Sequence, residues 1–556
     1  MVRFRGLSTL LIAVFVSAAL AGDVAAEASR MEKRWLFVWR TMSRPNEVDR
    51  MMARFPAAEA AGYNGVAFSH RIPDEKAVEL KTAAEKHGLD LIPILMGSTS
   101  DRNYVEGIES REALFVVQGD SAVFVPDNPT TLVNGGFEKA TGDSLHGWRL
   151  QDDPGKVTFV DQTRARTGGA SLKMTNFENR EIGNCRVAQA VQLQPWRQYR
   201  VTVWVKTEGY GGPDPEVKML TSDSRKSISW QTFRTRATQD WTKATVVFNS
   251  MDHSDAQLYV GIWGKGEGTV WWDDLEIREV GMTNVLRREG TPVTVKGNSG
   301  VVYEEGVDYE AIVDPQLHPW KPVHDGPSIR LTDGSRISDE ERLRVSFYHP
   351  IIIYEDRVTS CLSEPKIFDD WRAEVERIEK LLHPPAFFMS HDELRVANQC
   401  AHCRSMGMTA GELLAWNVRK AAAIIRDVRS DAEIWVWSDM FDPMHNAKDN
   451  FYAVNGSFEG SWEGLDPGIG IVNWHGGLMG KNAPFFADLG CRQILSGYYD
   501  SDEDGARIGE WIEKTAGVKG IVGAMYTTWE DKYEAMEVWA GTAWGNEMTN
   551  DEQSSD

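Results

Sequence analysis

The sequence has few long apolar runs, few cysteines and a deficit of basic residues. After residue 21, no apolar stretch approaches the ~20 residues that span a bilayer, so no membrane span is expected. The 82 acidic residues outnumber the 60 basic ones and give a formal net charge of −22. Because this charge repels a phosphate backbone, the composition argues against a nucleic acid partner. Neutral glycans are not repelled, and stacking on sugar faces is one use for the 21 tryptophans, beside core packing.

Residues 1–21 have the pattern of a secretory signal. Arginines at positions 3 and 5 precede an apolar run from 10 to 20, and Ala19-Leu20-Ala21 is a small-x-small cleavage site. We therefore expect the mature protein to be secreted or periplasmic after this peptide is cleaved. The sequence makes no prediction about the oligomeric state.

The cysteine content limits the disulfides and metal sites that can form. The five cysteines are Cys185, Cys361, Cys400, Cys403 and Cys491. Their number is odd, so at least one is unpaired within an exported monomer. Cys400 and Cys403 have the spacing of a metal-binding pair, but a second matching pair is missing. A local disulfide or plain thiols are therefore favoured over a structural metal, for which His402 would be a third ligand. No metal and no other cofactor is predicted.

Strands and helices alternate in two separate parts of the chain. Residues 30–131 begin with three β/α steps, and residues 343–546 contain further strand candidates with helices between several of them. Such alternation is typical of parallel strands. The two parts give nine strand candidates, of which residues 344–349 are the candidate for an inserted region. The simplest architecture is an α/β fold, a (β/α)8 TIM barrel with an all-β jelly-roll sandwich inserted after its third strand.

The helical period disappears between these two parts. Residues 132–280 show short alternating segments separated by Gly, Asp, Asn and Ser, which is typical of an all-β sandwich. Residues 281–342 are predicted to form a second, small β-rich segment with no assigned function. Residues 547–556 are predicted to be an acidic polar tail.

The two ends of the predicted sandwich carry recognisable sequences. The segment opens with Leu-Val-Asn-Gly-Gly-Phe-Glu at 132–138, followed by Gly147-Trp148. It closes with Val-Trp-Trp-Asp-Asp-Leu-Glu-Ile at 270–277. These ends resemble those of jelly-roll carbohydrate-binding modules of the family 4/9 type. The resemblance covers the whole segment and implies a carbohydrate partner.

Two adjacent acids follow an apolar strand at residues 387–393, Phe-Phe-Met-Ser-His-Asp-Glu. A strand usually ends in turn residues, so acids at its carboxyl end occupy the position where barrel enzymes keep their acids and bases. Neighbouring side chains on a strand point in opposite directions, so Asp392 and Glu393 should not serve the same atom. This favours Glu393 as the general acid/base and Asp392 as the residue that holds another substrate group.

Further polar and aromatic side chains follow the other predicted strands. Because strand ends of a parallel barrel converge on one face, we expect these side chains to line one cleft. Acids surrounded by aromatic rings are typical of a pocket that cleaves sugars. The predicted substrate-binding residues are Arg40, His70, His349, His391, Trp437, Asp439, Trp474, His475, Tyr498, Tyr499, Tyr526, Trp529 and Glu530.

Asp392-Glu393 and the aromatic strand ends resemble the corresponding positions of family-20 β-hexosaminidases, in which an Asp-Glu pair ends the fourth barrel strand. The resemblance implies that Asp392 orients a 2-acetamido group, whose carbonyl oxygen attacks the anomeric carbon. It implies that Glu393 protonates the leaving group and that later strand ends hold the sugar. The predicted function is therefore a secreted glycoside hydrolase acting on a polysaccharide or glycan, with substrate-assisted retention on 2-acetamido sugars as its finer form.

Two alternatives to this function stay open. The nearer one keeps Glu393 as the acid and takes Asp439 or Glu530 as a separate nucleophile or base. The other is a non-catalytic glycan-binding protein in which the sandwich binds and the barrel is a scaffold. It is motivated by Phe-Met-Ser-His at 388–391, where the family has His-x-Gly-Gly.

A metal-dependent hydrolase is the remaining alternative. Its ligands would be His391, Asp392 and His475. It is disfavoured because no pair among them has the short histidine spacing typical of metal ligands.

Overall fold

The computed structural model describes most of the chain. The described residues are 31–97, 102–127, 130–176, 183–353, 358–497, 499–500, 502 and 504–545. The predicted signal peptide, the predicted tail at 547–556 and Tyr498 lie outside them. Among the described residues, no helix combines the length and the apolar character needed to cross a membrane.

Eight parallel strands close into a barrel whose strand order follows the chain. The barrel strands β1 to β8 are Lys33–Val38, Gly65–Ser69, Asp90–Leu95, Ala386–Met389, Glu433–Trp437, Ile469–Asn473, Gln493–Ser496 and Ile521–Tyr526. The last strand closes the barrel by pairing with the first, where Trp35 lies opposite Met525. Since all eight strands run in the same direction, their carboxyl ends open on one face. The acidic pair follows β4.

Helices connect most of the strands. The described residues form nine α-helices, α1 to α9, at Pro45–Met52, Phe55–Ala60, Ala77–Lys86, Pro365–Leu382, Ala401–Ser405, Ala410–Val428, Met479–Asp488, Ala506–Lys514 and Met536–Trp544. Helix α6 begins at a capping box, in which Thr409 and Glu412 satisfy each other's backbone N–H groups. The connection from β5 to β6 instead contains 3-10 turns at Asp439–Phe441 and Ser461–Gly464.

Large aromatic rings fill the interior of the barrel. Trp35 and Trp435 meet edge to face with their ring centroids 5.3 Å apart. Glycines on neighbouring strands make room for them. A Cβ added at Gly65 would lie 2.7 Å from the Trp35 ring, and one at Gly470 would lie 2.3 Å from the Trp435 ring. The barrel therefore contains a packed core rather than a pore.

A six-stranded sheet, here called the connecting sheet, lies between the barrel and the sandwich in the chain. Its strands, in spatial order, are Val302–Tyr303, Thr294–Gly297, Arg342–His349, Ile108–Gln118, Ser121–Phe124 and Ile329–Arg330. Its two longest strands pair antiparallel, although they precede and follow the sandwich in sequence. The strand candidate at 344–349 therefore belongs to this sheet, and the barrel is left with eight strands. The chain leaves the barrel after β3 and returns to it at α4.

Two five-stranded antiparallel sheets form the sandwich. The first sandwich sheet has the order Gln239–Asn249, Gln198–Gly211, Glu267–Glu279, Ser171–Thr175 and Thr158–Asp161. The second sandwich sheet has the order Ser227–Thr232, Glu216–Leu220, Asp255–Ile262, Cys185–Gln192 and Arg149–Leu150. Alternate side chains of both sheets, such as Val201 and Val260, are buried in a shared core.

The sandwich is attached by a backbone hydrogen bond to the segment that returns to the barrel, and by apolar packing to barrel loops. The backbone N–H of Trp230, on the edge strand of the second sandwich sheet, donates to the Ile353 carbonyl at 2.9 Å. Val396 and Ala453, from the loops after β4 and β5, are buried in the sandwich core cluster. These contacts hold one edge of the sandwich over the open face of the barrel.

Candidate functional site

A cavity of about 1170 Å³ opens at the carboxyl ends of the barrel strands. Its barrel side is formed by Trp39, Asp392, Glu393, Trp437, Trp474, Gly497, Thr527, Trp529 and Glu530. Its opposite side is formed by the sandwich residues Val205, Asp214, Gln231, Thr232, Phe233, Arg234, Thr235, Gln239, Thr242, Lys243 and Ala244. Two domains therefore share one cleft.

The acidic pair lies on an unusual backbone directly after β4. His391 has a φ of 61° and Glu393 a φ of 46°, in the left-handed region that residues other than glycine rarely adopt. Backbone strain of this kind persists only where surrounding contacts hold it, and it is concentrated at functional sites. The turn also ends the alternation of the strand. As a result Asp392 and Glu393 both line the cavity, whereas strand alternation predicted that they point in opposite directions.

Specific contacts orient the two carboxylates. The Ser390 hydroxyl donates to Asp392 Oδ1 at 2.6 Å. Glu393 Oε1 forms an ion pair with Arg395 at 2.8 Å, in which the arginine side chain is 7% exposed and the glutamate side chain 27%. The guanidinium thus holds Glu393 from the protein side, while the carboxylate remains partly exposed at the cavity.

Asp439, which follows β5, supports the acidic pair from within the protein. It is fully buried, and its Oδ2 accepts hydrogen bonds from the Glu393 backbone N–H at 2.9 Å and from Asn446 at 2.8 Å. Its Oδ1 accepts from the Trp474 indole at 3.3 Å. Burial raises the pKa of Asp439 to about 7, and the nearby charge of Asp392 acts in the same direction. Asp439 is not among the residues that line the cavity, so its carboxyl positions Glu393 and Trp474.

Four tryptophans give the barrel side of the cavity its aromatic surface. Trp39 and Trp529 are 45% and 38% exposed, and they are the aromatic members of the exposed large hydrophobic residues in the described chain. Their ring centroids lie 5.8 Å apart. Trp437 is buried against Phe388, with ring centroids 4.8 Å apart. Exposed rings are thus concentrated where a sugar face could stack.

Asp500 organises the loop that follows β8. The Thr528 hydroxyl donates to its carboxylate, and the backbone N–H groups of Trp529 and Glu530 do the same at 2.9 and 3.2 Å. Glu530 also forms an ion pair with Lys532 at 2.7 Å, and both side chains are 52% exposed. Asp500 therefore fixes the backbone that carries two cavity residues.

Two of the predicted histidines lie away from the cavity. His349 ends a strand of the connecting sheet, where Asn249 of the sandwich donates to its Nε2 at 3.0 Å. His391 follows β4, but its Nε2 donates to Asn417 of α6 at 2.9 Å. Burial lowers the pKa of each histidine to about 4. Their predicted contact with substrate is not supported, because both rings are enclosed by protein.

His70 and Arg40 follow β2 and β1, but neither lines the cavity. His70 Nδ1 donates to the Ile94 carbonyl at 2.7 Å, and its Nε2 lies 3.4 Å from Glu374 on α4. Arg40 is engaged by Asp531, to which its Nε donates at 3.1 Å. Both side chains therefore hold barrel loops together, and this corrects their prediction as substrate contacts.

Two of the three predicted tyrosines, Tyr499 and Tyr526, do not line the cavity. Tyr499 and Tyr526 stack with ring centroids 5.7 Å apart, and both pack against Trp539 of α9. They are buried between the strands and the outer helices, so they do not contact a ligand in the cavity. Tyr498 lies outside the described residues.

His475 lies next to Trp474 but faces a separate, shallow hollow. Its ring packs against that of His445, with centroids 4.4 Å apart. Because His391 is buried toward α6 and His475 lines another hollow, these two residues do not meet Asp392 as a metal-binding set. In the described residues, one group of metal-ligating side chains does converge, away from the cavity, at Glu106, Cys361, Cys400 and Cys403.

Sequence reasoning missed all of the residues that the sandwich contributes to the cavity. Phe233 and Arg234 lie in the connection between the two sandwich sheets, and Lys243 lies on an edge strand of the first. Trp39 was also missed, although it directly follows β1 and its position at a strand end was a usable signal. The sandwich residues carry no such signal, because only the packing of the domains brings them to the cavity.

A family model described as "Carbohydrate binding domain", of the type 4/9 modules, matches residues 130–268. The predicted resemblance of the sandwich to these modules is thus confirmed, and the match supports glycan binding. The family match lies outside the barrel strands, so it gives no support to the resemblance of the barrel to family-20 β-hexosaminidases. No curated protein matches the chain.

Solved structures of carbohydrate-binding modules are also similar to this chain. One titled "Family 16 Carbohydrate Binding Module-2" is 21% identical, covers 26% of this chain and 97% of its own, and has a TM-score of 0.21. One titled "CBM4 structure and function" is 19% identical, with coverages of 27% and 99% and a TM-score of 0.20. A third, TmCBM61 in complex with beta-1,4-galactotriose, is 18% identical, with coverages of 26% and 95% and a TM-score of 0.19.

Proposed function

We propose that this protein is an exported glycoside hydrolase of the (β/α)8 type that cleaves a glycan in the cleft between its barrel and its inserted sandwich. One observation carries the proposal. The carboxylates Asp392 and Glu393 line a cavity at the carboxyl ends of the barrel strands, together with exposed tryptophan rings. This combination suits a sugar, because rings hold its apolar face while carboxyl groups act at the anomeric centre.

Glu393 is the proposed acid/base. It protonates the leaving oxygen in the first half of the reaction and, once deprotonated, activates the attacking group in the second half. Asp392, held by Ser390, orients a neighbouring polar group of the substrate. In the finer form of the proposal this group is a 2-acetamido substituent, whose carbonyl oxygen attacks the anomeric carbon.

The ion pair with Arg395 fixes the position of Glu393 at the cavity. The Arg395 side chain is 7% exposed and contacts the carboxylate from the protein side, so the partly exposed side of Glu393 stays toward the cavity. A carboxyl group held in this way suits an acid/base, because proton transfer depends on its distance and direction to the leaving oxygen.

The burial of Asp439 disfavours it as the separate nucleophile of the alternative mechanism. Its two oxygens already accept hydrogen bonds from Glu393, Asn446 and Trp474, and it does not line the cavity. Glu530 lines the cavity and is exposed, so it is the better partner in a mechanism with two carboxylates. A carboxyl separation of about 5 Å predicts retention, and one of about 6.5–9.5 Å predicts inversion.

The test is turnover of a panel of chromogenic glycosides, including N-acetyl-hexosaminides, by the purified full-length protein. We expect Glu393→Gln to reduce kcat by roughly 100-fold or more, because the amide cannot transfer the proton. Glu85→Gln is the matched control, since Glu85 is an exposed glutamate on α3. An active wild-type enzyme whose Glu393→Gln variant keeps full activity would exclude the assignment.

A second variant in the same assay examines the ion pair. Arg395→Gln removes the side chain that holds Glu393 in place, so kcat should fall by roughly 10-fold or more, because the carboxyl is no longer fixed toward the substrate. A variant that keeps the wild-type kcat would mean that Arg395 does not position Glu393. If no glycoside in the panel is cleaved while oligosaccharides bind, as measured by calorimetry, the protein is a glycan-binding protein instead.

A further inference from the structure

Three cysteines and one glutamate from distant parts of the chain meet in a buried cluster. Glu106 lies between β3 and the connecting sheet, Cys361 precedes α4, and Cys400 and Cys403 lie at α5, in the loop after β4. One ligand atom from each side chain lies within 4.8 Å of those of the others, and all four residues are buried. The cluster does not belong to the glycan cleft, because none of the four lines that cavity.

The distances in this cluster match the edges of a tetrahedral zinc site. Zn–S bonds of ~2.3 Å at tetrahedral angles separate two sulfurs by about 3.8 Å, and a thiolate and a carboxylate oxygen by about 3.6 Å. Cys361 Sγ lies 3.6 Å from Cys400 Sγ and 3.5 Å from Cys403 Sγ. Cys403 Sγ lies 3.6 Å from Glu106 Oε2. A disulfide needs about 2.05 Å between two sulfurs and would leave the third cysteine unused.

Neighbouring groups contact Glu106 and Cys403, as the groups behind the ligands of a metal site do. The backbone N–H groups of Gln399 and Cys400 both donate to Glu106 Oε1 at 2.8 Å, which leaves Oε2 on the side of the sulfurs. The Ser363 hydroxyl lies 3.1 Å from Cys403 Sγ.

A buried guanidinium completes the charge balance. Arg288, whose side chain is 3% exposed, lies with Nη1 3.9 Å from Cys400 Sγ and forms an ion pair with Glu364 at 3.1 Å. Three thiolates and one carboxylate around a divalent ion give a net charge of about −2, which a neighbouring cation offsets. Arg288 comes from the segment between the sandwich and the connecting sheet, so the cluster gathers parts of the barrel and of the insertion.

We propose that Cys361, Cys400, Cys403 and Glu106 bind one structural Zn²⁺ ion. All four positions are filled by protein side chains, which is typical of a structural site rather than a catalytic one. The ion joins the segment that leaves the barrel to the segment that returns to it. The backbones of these two segments already pair, since the Glu106 N–H donates to the Thr359 carbonyl at 2.7 Å. It also anchors the loop that carries the acidic pair. This proposal does not depend on hydrolase activity.

The first measurement is the metal content of the purified full-length protein. We expect about one zinc per chain, and in the reduced apoprotein we expect Co²⁺ to restore one site with the sulfur-to-cobalt charge-transfer bands of thiolate coordination. The thiol count after denaturation with chelator should be five, one for each cysteine. The opposite result is three free thiols, no metal in the purified protein and no metal uptake by the reduced protein. It would mean that two cysteines form a disulfide instead.

Variants then locate the ion. Cys361→Ser and Cys400→Ser should lose the metal and the cobalt spectrum, whereas Cys185→Ser and Cys491→Ser should keep both, since these two buried cysteines lie outside the cluster. Glu106→Gln should retain the thiolate bands with weaker metal affinity. If both cluster variants keep their metal, the ion lies elsewhere and the proposal is wrong. If a variant does not fold, the wild-type cobalt spectrum and thiol count still decide the question.

Discussion

At the scale of single residues, three neighbouring carboxyl groups form the centre of the region after β4. Asp392 and Glu393 face the cavity, while Asp439 is buried beside them and holds the backbone of Glu393. The sequence placed all three at strand ends but predicted opposite directions for Asp392 and Glu393, which is wrong because a left-handed residue on each side of Asp392 replaces the alternation of a strand. Local conformation therefore turns two adjacent acids toward one cleft.

The raised pKa of Asp439 predicts a pH-dependent cost to folding. The unfolded carboxyl ionises near its ordinary value of 3.8, whereas in the folded protein it stays protonated up to about pH 7. The folded state therefore loses stability, relative to a variant without this group, as pH rises from about 4 to about 7. With about 1.36 kcal/mol for each pKa unit, the loss is at most about 4 kcal/mol.

Asp439→Asn measures this cost. The free energy of unfolding in urea should fall with pH more steeply in the wild type than in Asp439→Asn. The difference between the two proteins should therefore shift in favour of the variant between about pH 4 and about pH 7. Asp449→Asn, at an exposed aspartate, is the control and should follow the wild type. A difference that stays constant over this range would show that Asp439 ionises normally.

At the scale of secondary structure elements, a proline sets a helix boundary that hydrophobic periodicity alone does not reveal. The helical pattern over residues 45–61 predicts a single helix, but the structure has two, α1 and α2. Pro56 lies in the first turn of α2. Because proline has no N–H and clashes with the preceding turn, it is tolerated there and would break a longer helix.

The barrel interior is tightly packed around Gly470. Its missing side chain leaves room for Trp435, whose ring would lie 2.3 Å from an added Cβ. Gly470→Ala should therefore destabilise the protein by about 1–3 kcal/mol through overpacking. Gly541→Ala is the matched control, because Gly541 lies within α9 with open space around it, and it should stabilise the protein by about 0.5–1 kcal/mol. Urea unfolding measures both, and a neutral Gly470→Ala would mean that the Trp435 ring can move.

At the scale of the whole molecule, the sandwich and the barrel form one ligand cleft. Val396 and Ala453 bury barrel loops in the sandwich core, and residues of the sandwich edge close the cavity above the acidic pair. The residues on the sandwich side of the cavity lie within 130–268, the range that matches a carbohydrate-binding domain. A sugar chain that extends beyond the proposed catalytic position would contact this side of the cavity.

Phe233→Ala tests this shared cleft. Loss of one stacking ring should weaken oligosaccharide binding by roughly 2- to 10-fold and leave a monosaccharide glycoside almost unaffected, since only a longer ligand reaches the sandwich. Calorimetry measures both affinities. Trp263→Ala is the control, because Trp263 lies beside Lys218 on the second sandwich sheet and does not line the cavity. If Trp263→Ala weakens binding and Phe233→Ala does not, the glycan binds on that sheet instead.

The cysteine cluster shows where sequence reasoning stops. Cys400 and Cys403 show the spacing of metal ligands, but the nearest expected partner, His402, is not in the cluster. The partners that complete it are Cys361 and Glu106, the latter 297 positions before Cys403. No local pattern connects residues so far apart, because their proximity depends on how the insertion leaves and rejoins the barrel.

The sequence by itself determined the features that depend on local periodicity. Alternating strands and helices predicted the closed parallel barrel, and short alternating segments predicted the sandwich. The end sequences of the sandwich carried its resemblance to carbohydrate-binding modules, and Asp392-Glu393 was located at the end of a barrel strand. Tertiary structure alone decided which side chains meet. It buried His349 and His391, turned Tyr499 toward the outer helices and brought the sandwich edge to the cavity. These outcomes depend on packing between distant segments, which residue spacing does not encode.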